Sequence, residues 1–183
     1  SAYVKKCSKA QFASVRLAVV GAEKLKESLA TAFLEKFGVM PFEGYGATEL
    51  SPIVTVGFPD YMTDESLEHQ VGNKFGKVGH PIPGVAVKVV DPDTFEVKGP
   101  NEDGLLLVKG ANVMRGYLNN PAKTAEVLKE GWYITGDIAT IDEDGFIKIT
   151  DRLSRFSKIG GEMVPHIKVE ENIMEALGAT DPV

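Results

Sequence analysis

The order of patterns between Val15 and Gly46 constrains the fold of this chain more than any other feature. Val15 to Val20 is a nearly continuous apolar run, the pattern of a buried strand in a parallel sheet. After Gly21-Ala22, the apolar residues Leu25, Leu29, Ala32, Phe33 and Phe37 recur at helical spacing, and Glu23, Lys24, Lys26, Glu27, Glu35 and Lys36 fill the other face. Gly38 stands where a helix C-cap belongs. Val39 to Phe42 reads as a second strand, with Pro41 restricting its pairing. Strand, helix and strand in this order make a right-handed crossover between parallel strands. Both strands then end at one edge, which places Gly21-Ala22-Glu23 and Gly44-Tyr45-Gly46 on a common rim. Open α/β sheets bind ligands at that edge.

The rim carries suitable chemistry. Glu43-Gly44-Tyr45-Gly46-Ala47-Thr48-Glu49 reads as one turn holding two glycines, an aromatic ring, a hydroxyl and a carboxylate. Glycines let backbone approach a ligand, and a tyrosine ring can lie against a flat base. A hydroxyl beside a carboxylate suits a phosphate oxygen and a hard cation such as Mg²⁺. The same residues also suit a plain tight turn, with Thr48 and Glu49 capping the next segment.

From about Phe58 helical periodicity fades and Gly and Pro recur at short intervals. Strand candidates are Val85 to Val90, Leu105 to Lys109, Trp132 to Asp137 and Phe146 to Thr150. Short strands between turn residues predict a small antiparallel barrel or sandwich. Asp142-Glu143-Asp144-Gly145 predicts a hairpin turn rather than a calcium loop, whose spaced ligands and distal Glu are lacking. One helix interrupts this region, opened by Asn120-Pro121 and closing near Leu128. A basic stretch from Asp151 to Lys158 precedes Gly160-Gly161, and a short amphipathic helix follows, from Ile167 to Leu177. The expected organisation is an α/β unit over 1–57 with a partial parallel βαβ, a β-barrel-like subdomain over 58–153, and the opening of an α+β C-terminal lid domain over 154–183.

Composition removes several function classes. The formal net charge of −6 over 183 residues disfavours sequence-independent nucleic-acid binding. Cys7 is the only cysteine, which rules out an internal disulfide and a cysteine-based metal site. That usage fits a reducing compartment, and the expected location is cytoplasmic, with a parent protein at the cytoplasmic face of the inner membrane as an option. No apolar run approaches the ~18 residues that span a bilayer.

Three patterns together carry a family resemblance: Tyr45-Gly46-Ala47-Thr48-Glu49; Gly110-Ala111-Asn112-Val113-Met114-Arg115-Gly116-Tyr117-Leu118 with Asn119-Asn120-Pro121; and Gly131-Trp132-Tyr133-Ile134-Thr135-Gly136-Asp137, leading to Asp151-Arg152 and Lys158-Ile159-Gly160-Gly161. In this order they resemble the adenylate-forming superfamily of acyl-CoA synthetases, peptide-synthetase adenylation domains and beetle luciferases. Arg155 to His166 looks closest to the acyl-acyl carrier protein synthetase / 2-acylglycerophosphoethanolamine acyltransferase type.

The resemblance implies a two-step reaction. A carboxylate, here a fatty acid or another acid, attacks the α-phosphate of ATP, and a thiol of CoA or of acyl carrier protein phosphopantetheine then displaces AMP. It implies Thr48, Glu49 and Lys158 as the catalytic candidates, with Thr48 on phosphate, Glu49 on Mg²⁺ and Lys158 approaching for thioester formation. Tyr45, between Gly44 and Gly46-Ala47, would stack on adenine. Gly21, Ala22 and Glu23 would form the opposite wall of the adenine and acyl pocket. Asp137 would accept from the ribose hydroxyls, Arg152 would contact ribose or phosphate, and Gly160 and Gly161 would leave room for a pantetheine arm. Ser154 would be the hinge of the lid.

Blander readings stand beside these. Asp137 can cap a turn, Arg152 can form an exposed pair with Asp151, and Lys158 can face solvent. His69, His80 and His166 read as loop residues, and Trp132 as packing. Leu105, Ser154 and Lys168 depart from residues common in the family. Lys168 with Arg155 and Lys158 makes a basic patch that suits an acidic carrier protein. The family's Ser/Thr/Gly-rich phosphate loop and its C-terminal lysine have no counterpart in the sequence, so the chain is expected to be an inactive piece of a longer ligase. The alternatives are a non-catalytic nucleotide- or carrier-binding module and an aryl- or amino-acid-activating enzyme.

Overall fold

The computed structural model describes residues 1–62, 69–159 and 162–177. Helix α1 (Ala2–Lys6) and a turn at Lys9–Phe12 lead into strand β1 (Ala18–Val20). Helix α2 (Glu27–Phe37) follows, and β2 (Pro41–Gly46) returns parallel to β1, with Ala18 opposite Pro41 and Val20 opposite Glu43. Gly38 ends α2 in the left-handed region at φ 75°, and its N–H donates to the Leu34 carbonyl. The first segment packs on α2 through Phe12, whose ring stacks on Phe37 at 4.1 Å.

Three details differ from expectation. The apolar run at Val15 to Val20 yields a strand of only three residues, and Val19 is 54% exposed. β1 is an edge strand bonded to β2 alone among the described residues, so its outer face is not covered. Helix α2 starts at Glu27 rather than Glu23, because Ala22 takes a left-handed φ of 71° and the Leu25 N–H is captured by the Glu43 carboxylate at 2.9 Å. Strand β2 runs through Gly44, Tyr45 and Gly46, which were expected in a turn. The turn comes afterwards, as a 3-10 turn at Thr48–Leu50. Pro41 is the first residue of β2, a position that tolerates the missing N–H.

Strand β3 (Ile53–Val56) runs antiparallel to β2. A two-stranded ribbon of β4 (Tyr61–Met62) and β5 (His69–Gln70) follows, and β6 (His80–Pro81) closes the first sheet beside β3. The second sheet is antiparallel. It is built from β7 (Val85–Val90), β8 (Gly104–Gly110), a short β9 (Leu128–Lys129), β10 (Trp132–Ile141) and β11 (Ile147–Arg152). Its order is β11-β10-β8-β7, with β9 on β10, and register shifts in β10 curl it. This is the mixed α/β architecture with a barrel-like antiparallel part that the turn spacing predicts. Helix α3 (Pro121–Val127) sits between β8 and β9. The Asn120 side chain accepts from the Lys123 N–H, and Pro121 fills the first turn. The chain continues as a hairpin of β12 (Phe156–Ile159) and β13 (Glu162–Pro165), then α4 (His166–Leu177).

The main core lies where the two sheets meet. Leu50 of the turn after β2 and Val54 of β3 cluster with Val89, Leu106, Val108, Tyr133 and Ile147 of the second sheet. Full burial of one such side chain stabilises by about 2 kcal/mol. Leu50 is fully buried and directly follows Thr48-Glu49. The core therefore pins the backbone next to Thr48-Glu49.

The Asp142 to Gly145 hairpin forms as predicted. Asp142 Oδ1 accepts the N–H groups of Asp144 and Phe146, and Gly145 has φ 84°. The other Asp142 oxygen takes the ammonium groups of Lys74 and Lys77, which ties the loop before β6 to the β10–β11 corner. His80 is more than a loop residue: its ring lies 3.9 Å from that of Phe146, and Nε2 meets the Asp144 carbonyl. Burial alone would raise the Asp142 carboxyl, but the two lysines and the Phe146 N–H hold it well below the usual carboxylate range. A depressed folded pKa gives stability that is complete above the unfolded value near 3.8 and is lost as pH falls through the folded value. Asp142→Asn should therefore lower unfolding free energy by about 2 kcal/mol at pH 7. In urea melts at successive pH values, the gap between the two proteins should narrow below about pH 4. A gap constant down to pH 2 would show that the ion pairs are not its source.

Candidate active site

The carboxyl ends of β1 and β2 open onto one cavity of about 350 Å³, with Val19, Gly21 and Ala22 on one side and Tyr45 to Thr48 with Pro52 and Ile53 on the other. The two loops read from the sequence as rim partners do converge. Gly46 is required by contact here, and Gly44 is crowded. A Cβ at Gly46 would lie 1.8 Å from the Pro52 carbonyl oxygen, and one at Gly44 would press on Val19 and the Thr55 carbonyl at 3.3 and 3.2 Å. The Glu43 carboxylate, buried under the pocket, holds the Leu25 N–H and so fixes the 21–26 loop against β2. Glu23 is exposed on that loop and is not among the residues lining the cavity.

Asp137 is not among the residues lining the cavity; it joins the wall residue Tyr45 from the second sheet through a local irregularity. Between Ile134 and Ile138 the β10–β8 register shifts by two residues, and Gly136 adopts φ 77°. The Thr135 hydroxyl donates to the Leu106 carbonyl and accepts the Asp137 N–H at 3.0 Å, replacing ladder bonds that the bulge removes. Asp137, largely buried, then accepts from the Tyr45 hydroxyl at 2.6 Å and from Arg152 Nε at 2.8 Å. Tyr45, Asp137 and Arg152 thus form one connected group. Arg152 pairs with Asp137 rather than making the exposed pair with Asp151, whose carboxylate accepts the Arg152 backbone N–H. Burial first, then the Asp137 charge, pushes the Tyr45 phenol up from its ordinary value, so it remains a donor at neutral pH. The Asp137 oxygens face a phenol and a guanidinium here. A ribose would have to share them, which carboxylate oxygens with two lone pairs each allow.

Glu49 is half-buried and is not among the residues lining the cavity, whereas the adjacent Thr48 is exposed and lines it. Glu49 Oε1 accepts from the Tyr117 hydroxyl at 2.8 Å, and the Glu49 carbonyl accepts the Met114 N–H. Its Oε2 makes no hydrogen bond among the described residues. No group of three or more His, Cys, Asp or Glu side chains gathers into a metal cage among the described residues. One free hard oxygen beside a hydroxyl fits Mg²⁺, which binds through one or two carboxylates and otherwise through phosphate and water. Lys158 falls in β12 opposite Met163, while Gly160 and Gly161 lie outside the described residues. Arg155 makes a two-pronged pair with Glu170 on α4, so one member of the proposed basic patch already has an acidic partner.

Sequence reasoning missed the work of Glu43, Asn112, Tyr117 and Thr135. All four lie within quoted patterns, but the spacing gives no hint of partners 18 to 68 residues away. The only signal was a polar side chain kept inside a glycine-rich or apolar run.

Comparison with known proteins agrees with this geometry. The family described as AMP-binding enzyme matches residues 2–118. A long-chain-fatty-acid–CoA ligase of Salmonella typhimurium is 35% identical over 97% of the chain, and a feruloyl-CoA synthase of Amycolatopsis sp is 35% identical over 90%. The chain spans about 30% of the length of these relatives. Among solved structures, unliganded O-succinylbenzoate coenzyme A synthetase of Bacillus subtilis superimposes with a TM-score of 0.76 at 27% identity, over 95% of this chain and 36% of that one. The same enzyme in complex with ATP and magnesium ion gives 0.71 at 29% identity, over 88% of this chain and 32% of that one. With two loops closing one cavity, a carboxylate of the second sheet bonded to the tyrosine that lines it, and the family match over more than half of its length, the chain belongs to the AMP-binding enzyme family.

Proposed function

We propose that the chain supplies the nucleotide-facing part of an ATP-dependent acid–CoA ligase that activates a long-chain fatty acid. The observation that carries this reading is the hydrogen bond from Tyr45 to Asp137, which joins a base-stacking ring to a ribose-directed carboxylate across 92 residues of sequence. In the first step a substrate carboxylate oxygen attacks the α-phosphorus of ATP and pyrophosphate leaves. In the second a thiol attacks the acyl carbonyl and AMP leaves. The protein groups contribute by position and charge rather than by a covalent bond. Tyr45 orients adenine against the Gly21-Ala22 wall, Asp137 orients the ribose, and Arg152 and Thr48 meet phosphate oxygens. Mg²⁺, when bound, neutralises charge on the phosphates, and Glu49 is the residue that would hold it. Lys158 and the Gly160-Gly161 pair belong to the thioester step.

Coenzyme A is the favoured acceptor, because the relatives above are CoA ligases by name. Acyl carrier protein is the alternative, suggested by the basic residues Arg155, Lys158 and Lys168 of the sequence. An aryl acid is the second reading of the substrate, favoured by the feruloyl-CoA synthase at the same 35% identity. The Ser/Thr/Gly-rich phosphate loop called for by the resemblance is not among these 183 residues. The chain by itself is therefore expected to give no acyl adenylate.

The test is ATP–pyrophosphate exchange by the full-length protein that carries this chain, over a panel of fatty, aryl and amino acids, with CoA and acyl carrier protein compared as acceptors. Saturable exchange with long-chain fatty acids is expected. No exchange with any acid would leave a non-catalytic module. In the same protein Tyr45→Phe, which keeps the ring, should raise the KM for ATP about tenfold, the value of one lost hydrogen bond to a charged group. Asp137→Ala, which frees both Tyr45 and Arg152, should cost about 100-fold in kcat/KM. Equal, small effects of the two would mean that the carboxylate does not organise the site.

A further inference from the structure

Residues 110–118 form a second support beneath the pocket. The segment does not line the cavity, yet it holds the stretch that carries Glu49 at several points. Met114 N–H donates to the Glu49 carbonyl at 2.8 Å. The Asn112 amide donates to the carbonyls of Leu50 and Ile53 at 3.0 and 2.9 Å. The Tyr117 hydroxyl donates to Glu49 Oε1 at 2.8 Å. Backbone and side chain of Glu49 are thus gripped from the same loop.

Tyr117 is itself held. Its N–H donates to Thr124 Oγ1 on α3 at 2.9 Å, and the Thr124 hydroxyl donates back to the Asn120 carbonyl. Gly116 before it has φ 147°, and a Cβ there would lie 2.7 Å from Thr124. The buried Tyr133 hydroxyl adjoins that of Tyr117. The phenol is therefore fixed before any ligand arrives.

We propose that Tyr117 is a positioning residue for Glu49, the neighbour of the pocket-wall residue Thr48, holding one carboxylate oxygen so that the other is left for a divalent cation carried by nucleotide phosphates. The proposal rests on the ligase reading above and adds the device that aims its cation ligand. A carboxylate with neither oxygen held rotates freely and offers either one. Bonding Oε1 to a fixed phenol leaves a single ligand in a single direction. Partners that hydrogen-bond to metal-ligating groups typically matter 10- to 100-fold for metal affinity or activity.

Tyr117→Phe in the full-length protein tests this, because it keeps the ring and removes only the donor. Two readouts are needed: Mn²⁺ affinity in the presence of a non-hydrolysable ATP analogue, by electron paramagnetic resonance, and the Mg²⁺ dependence of pyrophosphate exchange. The expected result is Mn²⁺ binding weakened about tenfold and a matching rise in the Mg²⁺ half-saturation, with kcat at saturating Mg²⁺ within about twofold of wild type. Thr124→Val, which removes the anchor of Tyr117 without touching Glu49, should shift the same two quantities in the same direction by less. It carries the test if Tyr117→Phe fails to fold. A lowered melting temperature with unchanged metal dependence would overturn the proposal and leave Tyr117 a packing residue. A wild-type protein inactive toward every acid would instead overturn the ligase reading, while the Mn²⁺ titration would still decide the role of Tyr117.

Discussion

The Asp137 carboxylate is the point at which the molecule becomes a site. It belongs to the second sheet, yet it bonds the Tyr45 hydroxyl from the first sheet and Arg152 at the end of β11. Placing a carboxylate in so enclosed a position is costly unless its charge is paired and hydrogen-bonded. Here one oxygen takes a phenol and the other a guanidinium. The ion pair is thus a structural joint between the second sheet and the tyrosine on the cavity wall. The bulge at Thr135-Gly136 is what lets a strand residue that would otherwise follow the ladder reach across the junction.

The remaining groups are held from behind by residues that take no part in the cavity wall. Glu43 tethers the Gly21-Ala22 loop through the Leu25 N–H. Leu50 in the core and the Met114 N–H fix the backbone around Glu49. Both supports are buried or part-buried contacts, so the rim can expose glycine backbone and a few polar tips without becoming slack. This division explains why the glycine-rich stretches sit beside apolar anchors. The glycines allow close approach, and the neighbouring Leu and Val residues supply rigidity.

The parts of the fold legible in the sequence were those written in local chemistry. The strand, helix and strand came from a change of hydrophobic period, the end of α2 from Gly38, the start of α3 from Asn120-Pro121 and the β10–β11 corner from Asp-Gly turn residues. The end of β2 was not legible. Gly44 and Gly46 look like turn residues in isolation, but both lie in β2, where the Pro52 carbonyl leaves no room for a side chain at Gly46 and Val19 crowds Gly44. The start of α2 misled for the opposite reason: Leu25 continues the helical period, yet a carboxylate 18 residues later captures its N–H. Within the site, the meeting of the two rim loops followed from topology. The Tyr45–Asp137 and Tyr117–Glu49 bonds did not, since sequence spacing carries no information about contacts between sheets.

Trp132, the only tryptophan in the chain, lies against the Val90, Leu105, Leu107 and Ile138 cluster. The ammonium groups of Lys88 and Lys109 stand 4.5 and 5.7 Å from its ring. It begins the strand that later bulges to deliver Asp137. Its indole is therefore an intrinsic optical reporter. Emission from this one fluorophore tracks the integrity of the antiparallel sheet with no label attached, and separates loosening of that sheet from fraying of the α1–α2 end, whose aromatic residues are phenylalanine and tyrosine.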